Sequence, residues 1–134
     1  MKSLDASLWV DLIGNPFKFL GRGPIYWDCY GLLMEIYRRQ NIHISDIDKI
    51  VYDLSQESYK APFNLKKNEW SACSITPGAA LLFQVNSIPR HVGVAIDDDS
   101  FIHASESMGQ VRLDRLTGNR KFNLMLIGAY RYAV

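Results

Sequence analysis

The spacing of apolar residues changes once along this chain, and that change limits the possible folds more than any other feature. From Cys29 to Arg39 the spacing is helical. Cys29, Leu32, Leu33 and Ile36 stand at i, i+3, i+4 and i+7, one face of an α-helix. Asp28 precedes this stripe, where an N-cap belongs. After Pro77-Gly78 the pattern shortens to strands: Ala80 to Val85, His91 to Ile96, Phe101 to Ala104, Val111 to Leu116 and Leu124 to Tyr132. Turn residues separate them at Asn86 to Arg90, Asp97 to Ser100, Glu106 to Gly109 and Thr117 to Arg120. Helices first and close strands afterwards predict an α+β fold, in which the Cys29 helix packs on an antiparallel sheet of about five or six strands. This order argues against a doubly wound parallel sheet. Two smaller helices are expected. One runs from Ala6 to Ile13 and is stopped by Gly14, Asn15 and Pro16; the other runs from Ser45, which with Asp48 resembles a capping box, to about Glu57.

The chain has 134 residues, which predicts one domain spanning 1–134. Its formal net charge of +1 gives no basic footprint for nucleic acid. The pairs Arg38-Arg39 and Lys66-Lys67 read as solvated faces. No apolar run approaches the roughly 20 residues needed to span a bilayer, so no membrane partner is expected. Met1 to Val10 lacks the basic-then-apolar order of a secretory signal, and the chain is expected to be cytoplasmic as synthesised. Two cysteines are too few for a disulfide framework, so at least one reads as a working thiol.

Cys29 is the better candidate. A helix N-terminus presents free N–H groups and partial positive charge. Both favour a thiolate, and the same N–H groups can hold an oxyanion. Burial as a small apolar residue is the competing account of any cysteine. Cys73, in the loop-like stretch Trp70-Ser71-Ala72-Cys73-Ser74, reads as structural. His91 and His103 lie on successive strands joined by the turn Asp97 to Ser100. The hairpin can make their imidazoles neighbours. His91 would then take the Cys29 proton while His103 orients its ring, the logic of a triad. Two backbone-satisfied strand histidines are the bland alternative. A zinc site would want a fourth ligand at short spacing, and the Asp97 to Asp99 run lacks calcium-loop spacing. No metal or other cofactor is expected. His43 reads as structural.

These residues resemble the NlpC family of papain-like cell-wall peptidases. Asp28-Cys29-Tyr30-Gly31-Leu32 is similar to its Asp-Cys-Ser-Gly-Leu/Phe block, and Pro77-Gly78-Ala79-Ala80-Leu81-Leu82-Phe83 to its Pro-Gly-Asp-x-Leu-x-Phe block. His91-Val92-Gly93-Val94 and Phe101-Ile102-His103-Ala104-Ser105 are similar to its His-x-Gly-Ile/Val and Phe-x-His-Ala blocks. The resemblance implies a papain-like fold and a Cys29, His91, His103 triad. It also implies cleavage of peptidoglycan stem peptides between γ-D-glutamate and the diamino acid, with Asp28 helping to recognise the peptide's free amine. The Tyr after Cys and the absent signal look most like the tail-assembly peptidases of phages and prophages, which implies phage tail proteins as partners and a virion or cell-wall destination. Three departures bear on specificity: Phe17 stands where the family has a loop Tyr, Tyr30 where it has Ser, and Ala79 where it has Asp. Tyr30 or Tyr26 is expected to replace the hydroxyl missing at Phe17. Two rivals remain open: an acyltransferase or amidase of related papain-like type, and a non-catalytic tail-assembly component.

Overall fold

The computed structural model describes residues 2–46, 69–85 and 88–132. Helix α1 spans Cys29–Arg38. It starts there because Asp28 has extended backbone and its Oδ1 accepts from the Gly31 N–H at 2.7 Å, satisfying one of the free donors of the first turn. It ends at Arg39, after which Asn41 turns the chain in the left-handed region at φ 63. Tyr30, Leu32, Leu33, Ile36 and Tyr37 form its buried face.

Six strands follow: β1 (Trp70–Cys73), β2 (Ala80–Val85), β3 (Ile88–Ala95), β4 (Ser100–Ser105), β5 (Gln110–Arg115) and β6 (Leu126–Tyr132). They form one sheet of order β1-β6-β2-β3-β4-β5, with every neighbouring pair antiparallel. Helix α1 covers one face, over Ala80, Leu82, Val92, Val94, Ile102, Ala104 and Val111. The other face buries Leu81, Phe83, Ala95, Phe101 and Ala129, packed against Phe122 and Met125 of a short helix α2 (Arg120–Met125). Central strands covered on both faces lose polar alternation, and so β2 reads as a continuous apolar run, with Ala80 to Phe83 all buried. This is the α+β arrangement of a helix on an antiparallel sheet. Among the described residues no helix is long and apolar enough to cross a membrane.

Several expected boundaries move. The stretch Ala6 to Ile13 forms two 3-10 turns, Ala6–Leu8 and Val10–Leu12, because Trp9 breaks the helical backbone at φ −149 and only Leu12 is buried. Strand β3 begins at Ile88, inside the expected turn, because a bulge at Phe83/Gln84 lets β2 stay paired as far as Val85–Ile88. Residues 120–125 are helical because Phe122 drops onto Phe83 and Phe101, so β6 starts at Leu126. Cys73 lies not in a loop but at the end of β1, opposite Ala129. The helix expected from Ser45 to Glu57 lies outside the described residues beyond Asp46.

The loop before α1 folds back over its first turn. A Cβ at Gly31 would lie 2.1 Å from the Gly21 carbonyl oxygen. Gly31→Ala is therefore expected to lower stability by about 1–3 kcal/mol through overpacking against backbone, read as a fall in the urea midpoint. An unchanged midpoint would show that the loop moves aside at no cost.

Candidate active site

The β3–β4 turn is tightened by Asp97, whose Oδ1 accepts from the Asp99 and Ser100 N–H groups at 2.9 and 2.7 Å. The strands then pair at Ala95–Phe101 and Val94–Ile102. Continued two residues further, this register makes His91 and His103 diagonal neighbours on one face. Gly93 lies between them, and a Cβ there would approach His103 Cβ to 3.3 Å and Phe101 Cδ2 to 3.0 Å. Its bare backbone leaves room for the imidazole.

His91 Nε2 lies 2.8 Å from His103 Nδ1, and His103 Nε2 lies 2.7 Å from Asp114 Oδ2 on β5. A carboxylate can only accept, so His103 donates from Nε2 to Asp114 and must accept at Nδ1. His91 then donates from Nε2, which leaves its Nδ1 as a free base. The line Asp114–His103–His91 thus fixes both tautomers. The rings of Phe83, Phe101 and Phe122 wall it, with centroids 5.7 Å from His91 and 4.8 and 5.4 Å from His103 respectively. His103 is 2% exposed.

Asp114 is absent from the sequence reading. It stands opposite Phe101 across the β4–β5 ladder, diagonal to His103. The only signal was its place in the alternating strand Gln110 to Arg115, and using it required the register of the turn at Glu106 to Gly109. That register is set by Gly109, whose φ of 75 and N–H bond to the Ser105 carbonyl at 2.8 Å close the loop.

Cys29, partly buried, packs on the α1 side of the sheet. The backbone N–H groups of Val92 and Tyr30 donate toward its sulfur. The thiol therefore reaches β3 one residue from His91. Burial pushes the Cys29 thiol up to about 12, and the Asp28 charge adds to it; the Val92 N–H, the Arg22 charge and the Tyr30 N–H oppose both. The helix start was expected to lower this thiol, but loss of water outweighs the helix N-terminus. Burial likewise brings His91 down to about 3, helped by charge at His103 and Lys121. Both shifts favour the uncharged form, a thiol at Cys29 and a neutral imidazole at His91.

The other expected residues are placed as follows. Asp28 is 3% exposed. Its Oδ1 accepts from Arg22 Nη1 at 2.6 Å as well as from Gly31, while its Oδ2 is buried without a hydrogen-bond partner. Arg22 also grips Asp46, with Nε 3.0 Å from Oδ2 and Nη2 2.9 Å from Oδ1. Tyr30 was expected to offer a hydroxyl beside the sulfur. It is instead 1% exposed, and its hydroxyl donates to the Ser45 carbonyl. Tyr26 is 48% exposed, with Lys18 Nζ 5.4 Å from its ring centre. Phe17 packs against the α1-side core, and His43 is exposed.

A helix that starts at a cysteine and packs on a six-stranded antiparallel sheet is the arrangement of the papain-like fold. The sequence profile of the NlpC/P60 family matches residues 14–127, and the chain belongs to that family of cysteine peptidases. Solved structures of similar fold include NlpC2 from Trichomonas vaginalis, with 22% identity, TM-score 0.69, and 96% of this chain covering 45% of that one. An NlpC/P60 family protein from Bacillus cereus has 20% identity and TM-score 0.70, with 98% of this chain covering 41% of that one. The NlpC/p60 domain of the peptidoglycan hydrolase SagA has 19% identity and TM-score 0.58, with 82% of this chain covering 85% of that one. At these identities the likeness is one of fold. The chain spans less than half the length of the first two structures. No curated protein sequence matches it significantly.

The buried histidines make stability depend on pH. Between about 6.5 and about 3 the unfolded chain takes a proton at His91 that the folded chain refuses, so stability falls as pH falls through that window. His103, also lowered by burial, acts in the same direction. Melting His91→Gln across this range is expected to show a shallower acid slope than the parent protein. Equal slopes would place the acid sensitivity elsewhere.

Proposed function

We propose that the chain is one catalytic domain, a cysteine endopeptidase that cleaves peptidoglycan stem peptides at the bond between γ-D-glutamate and the diamino acid. The observation that carries this reading is the histidine line, in which the bonds to His103 and Asp114 leave His91 Nδ1 as a free base, while the Cys29 thiol accepts from the N–H of Val92, the next residue in the chain. His91 Nδ1 takes the thiol proton as the sulfur attacks the carbonyl, because neither group is charged at rest. The resulting imidazolium keeps its Nε2–H on His103 and gives the new proton to the leaving amine. A water, deprotonated by the same nitrogen, then hydrolyses the thioester. The Cys29 N–H at the helix start supports the oxyanion.

The substrate assignment rests on family membership and on the motif blocks, and SagA, a structural relative, is named as a peptidoglycan hydrolase. The lone Asp28 Oδ2 supports Asp28 as an acceptor for the peptide amine. The Cys-Tyr form of the nucleophile block supports a phage or prophage tail setting, with tail proteins as partners.

Digestion of purified peptidoglycan, with fragments identified by mass, tests the reading. Cys29→Ala and His91→Ala are expected to abolish release, while His103→Ala and Asp114→Ala leave a residue of activity, since an orienting group costs less than the group it orients. Intact peptidoglycan after exposure to the parent protein would refute the reading. The two tyrosines separate as well. Tyr30→Phe is expected to lower stability by about 0.5–1.5 kcal/mol and spare kcat, because its hydroxyl serves the core. Tyr26→Phe, at the exposed hydroxyl, is expected to lower kcat/KM about 10-fold, one hydrogen bond's worth. The opposite pattern would make Tyr30 the replacement hydroxyl.

A further inference from the structure

The nucleophile follows a buried carboxylate in the chain. Asp28 is almost fully buried, and one of its oxygens has no hydrogen-bond partner. Such a charge beside a thiol opposes formation of the thiolate. Yet Asp28 cannot simply be dispensed with, because its Oδ1 caps α1 through the Gly31 N–H. Arg22 meets this conflict. Its Nη1 sits 2.6 Å from Asp28 Oδ1 and 3.0 Å from the Gly21 carbonyl, and its Nε and Nη2 are fastened to Asp46 after the helix. The guanidinium is thus gripped on two edges and cannot swing away without breaking a two-point carboxylate contact.

We propose that Arg22 is a positioning residue for the nucleophile: clamped between Asp46 and Asp28, it offsets the charge of the capping carboxylate, so that the helix start keeps its cap at a smaller cost to the Cys29 thiolate. This rests on Cys29 being the nucleophile, but not on the identity of the substrate. Among the described residues, the charged and titratable groups on the loop and helix side of the sulfur are Asp28, Arg22, Tyr30, whose ring lies against Arg22, and, through Arg22, Asp46. From the sheet side they are His91 on β3 and His103 on β4, with Asp114 and Arg112 on β5 and Lys121 on α2 behind the imidazoles. Only Arg22 contacts Asp28 by an ion pair among the described residues.

The test is the pH dependence of Cys29 alkylation by iodoacetamide, followed by mass spectrometry on the intact chain, with Cys73 as internal control. Arg22→Gln keeps a donor near Asp28 but removes the charge, and it is expected to move the alkylation midpoint up by about one pH unit. Arg22→Lys is expected to restore most of the parent value. In Asp28→Asn, where the cap oxygen remains and the charge is gone, Arg22→Gln is expected to leave the midpoint where Asp28→Asn alone sets it. A purely structural arginine would change the melting temperature of Arg22→Gln without moving the midpoint, which would overturn the proposal. A midpoint shift that persists undiminished in the Asp28→Asn background would overturn it as well. If Arg22→Gln does not fold, the pair Arg22→Gln/Asp28→Asn against Asp28→Asn carries the same comparison, because it leaves no uncompensated buried carboxylate. Alkylation reports on the thiol whether or not peptidoglycan is cleaved, so failure here is distinct from failure of the proposed function.

Discussion

Asp28 is a charge held where water does not reach it, and much of the molecule is arranged around that fact. A buried carboxylate is tolerated only when it is paired and hydrogen-bonded. Here the Gly31 N–H supplies the hydrogen bond and Arg22 the pair. The Gly31 bond starts α1 at Cys29, and so decides which residue stands in the first turn. The Arg22 contact draws the preceding loop over that turn, so closely that Gly31 leaves no room for a side chain beneath Gly21. Helix start, loop path and the position of the Cys29 thiol therefore follow from one acidic side chain.

On the sheet the two histidines are ordered by hydrogen bonds. His91 and His103 are both lowered by burial, and the line to Asp114 orders protons without charging the rings at rest.

The sequence displays the helix and strands because their apolar spacing is a one-dimensional property. The stripe of Cys29, Leu32, Leu33 and Ile36 sets α1, and the continuous run in β2 reflects a strand covered on both faces. What depends on two chain segments meeting is not visible in that way. Asp114 belongs to the site only through the β4–β5 register, and Arg22 only through a fold of the glycine-rich loop onto Asp28. Leu124 and Met125 read as the start of a strand, and the helix that holds them follows from the Phe122 ring packing on Phe83 and Phe101. The thiol's preference for its proton was hidden for a similar reason: a helix-start motif shows the dipole, but not how much water the surrounding core removes.

The histidine line runs across three adjacent strands, β3, β4 and β5, at right angles to the chain direction. Its members come from diagonal positions, so a slip of one residue in either hairpin would turn an imidazole or the carboxylate to the opposite face. The lengths of the connections at Asp97–Asp99 and Glu106–Gly109 therefore hold the histidine line together. Insertions or deletions in these two hairpin loops should be far less tolerated than changes of residue type.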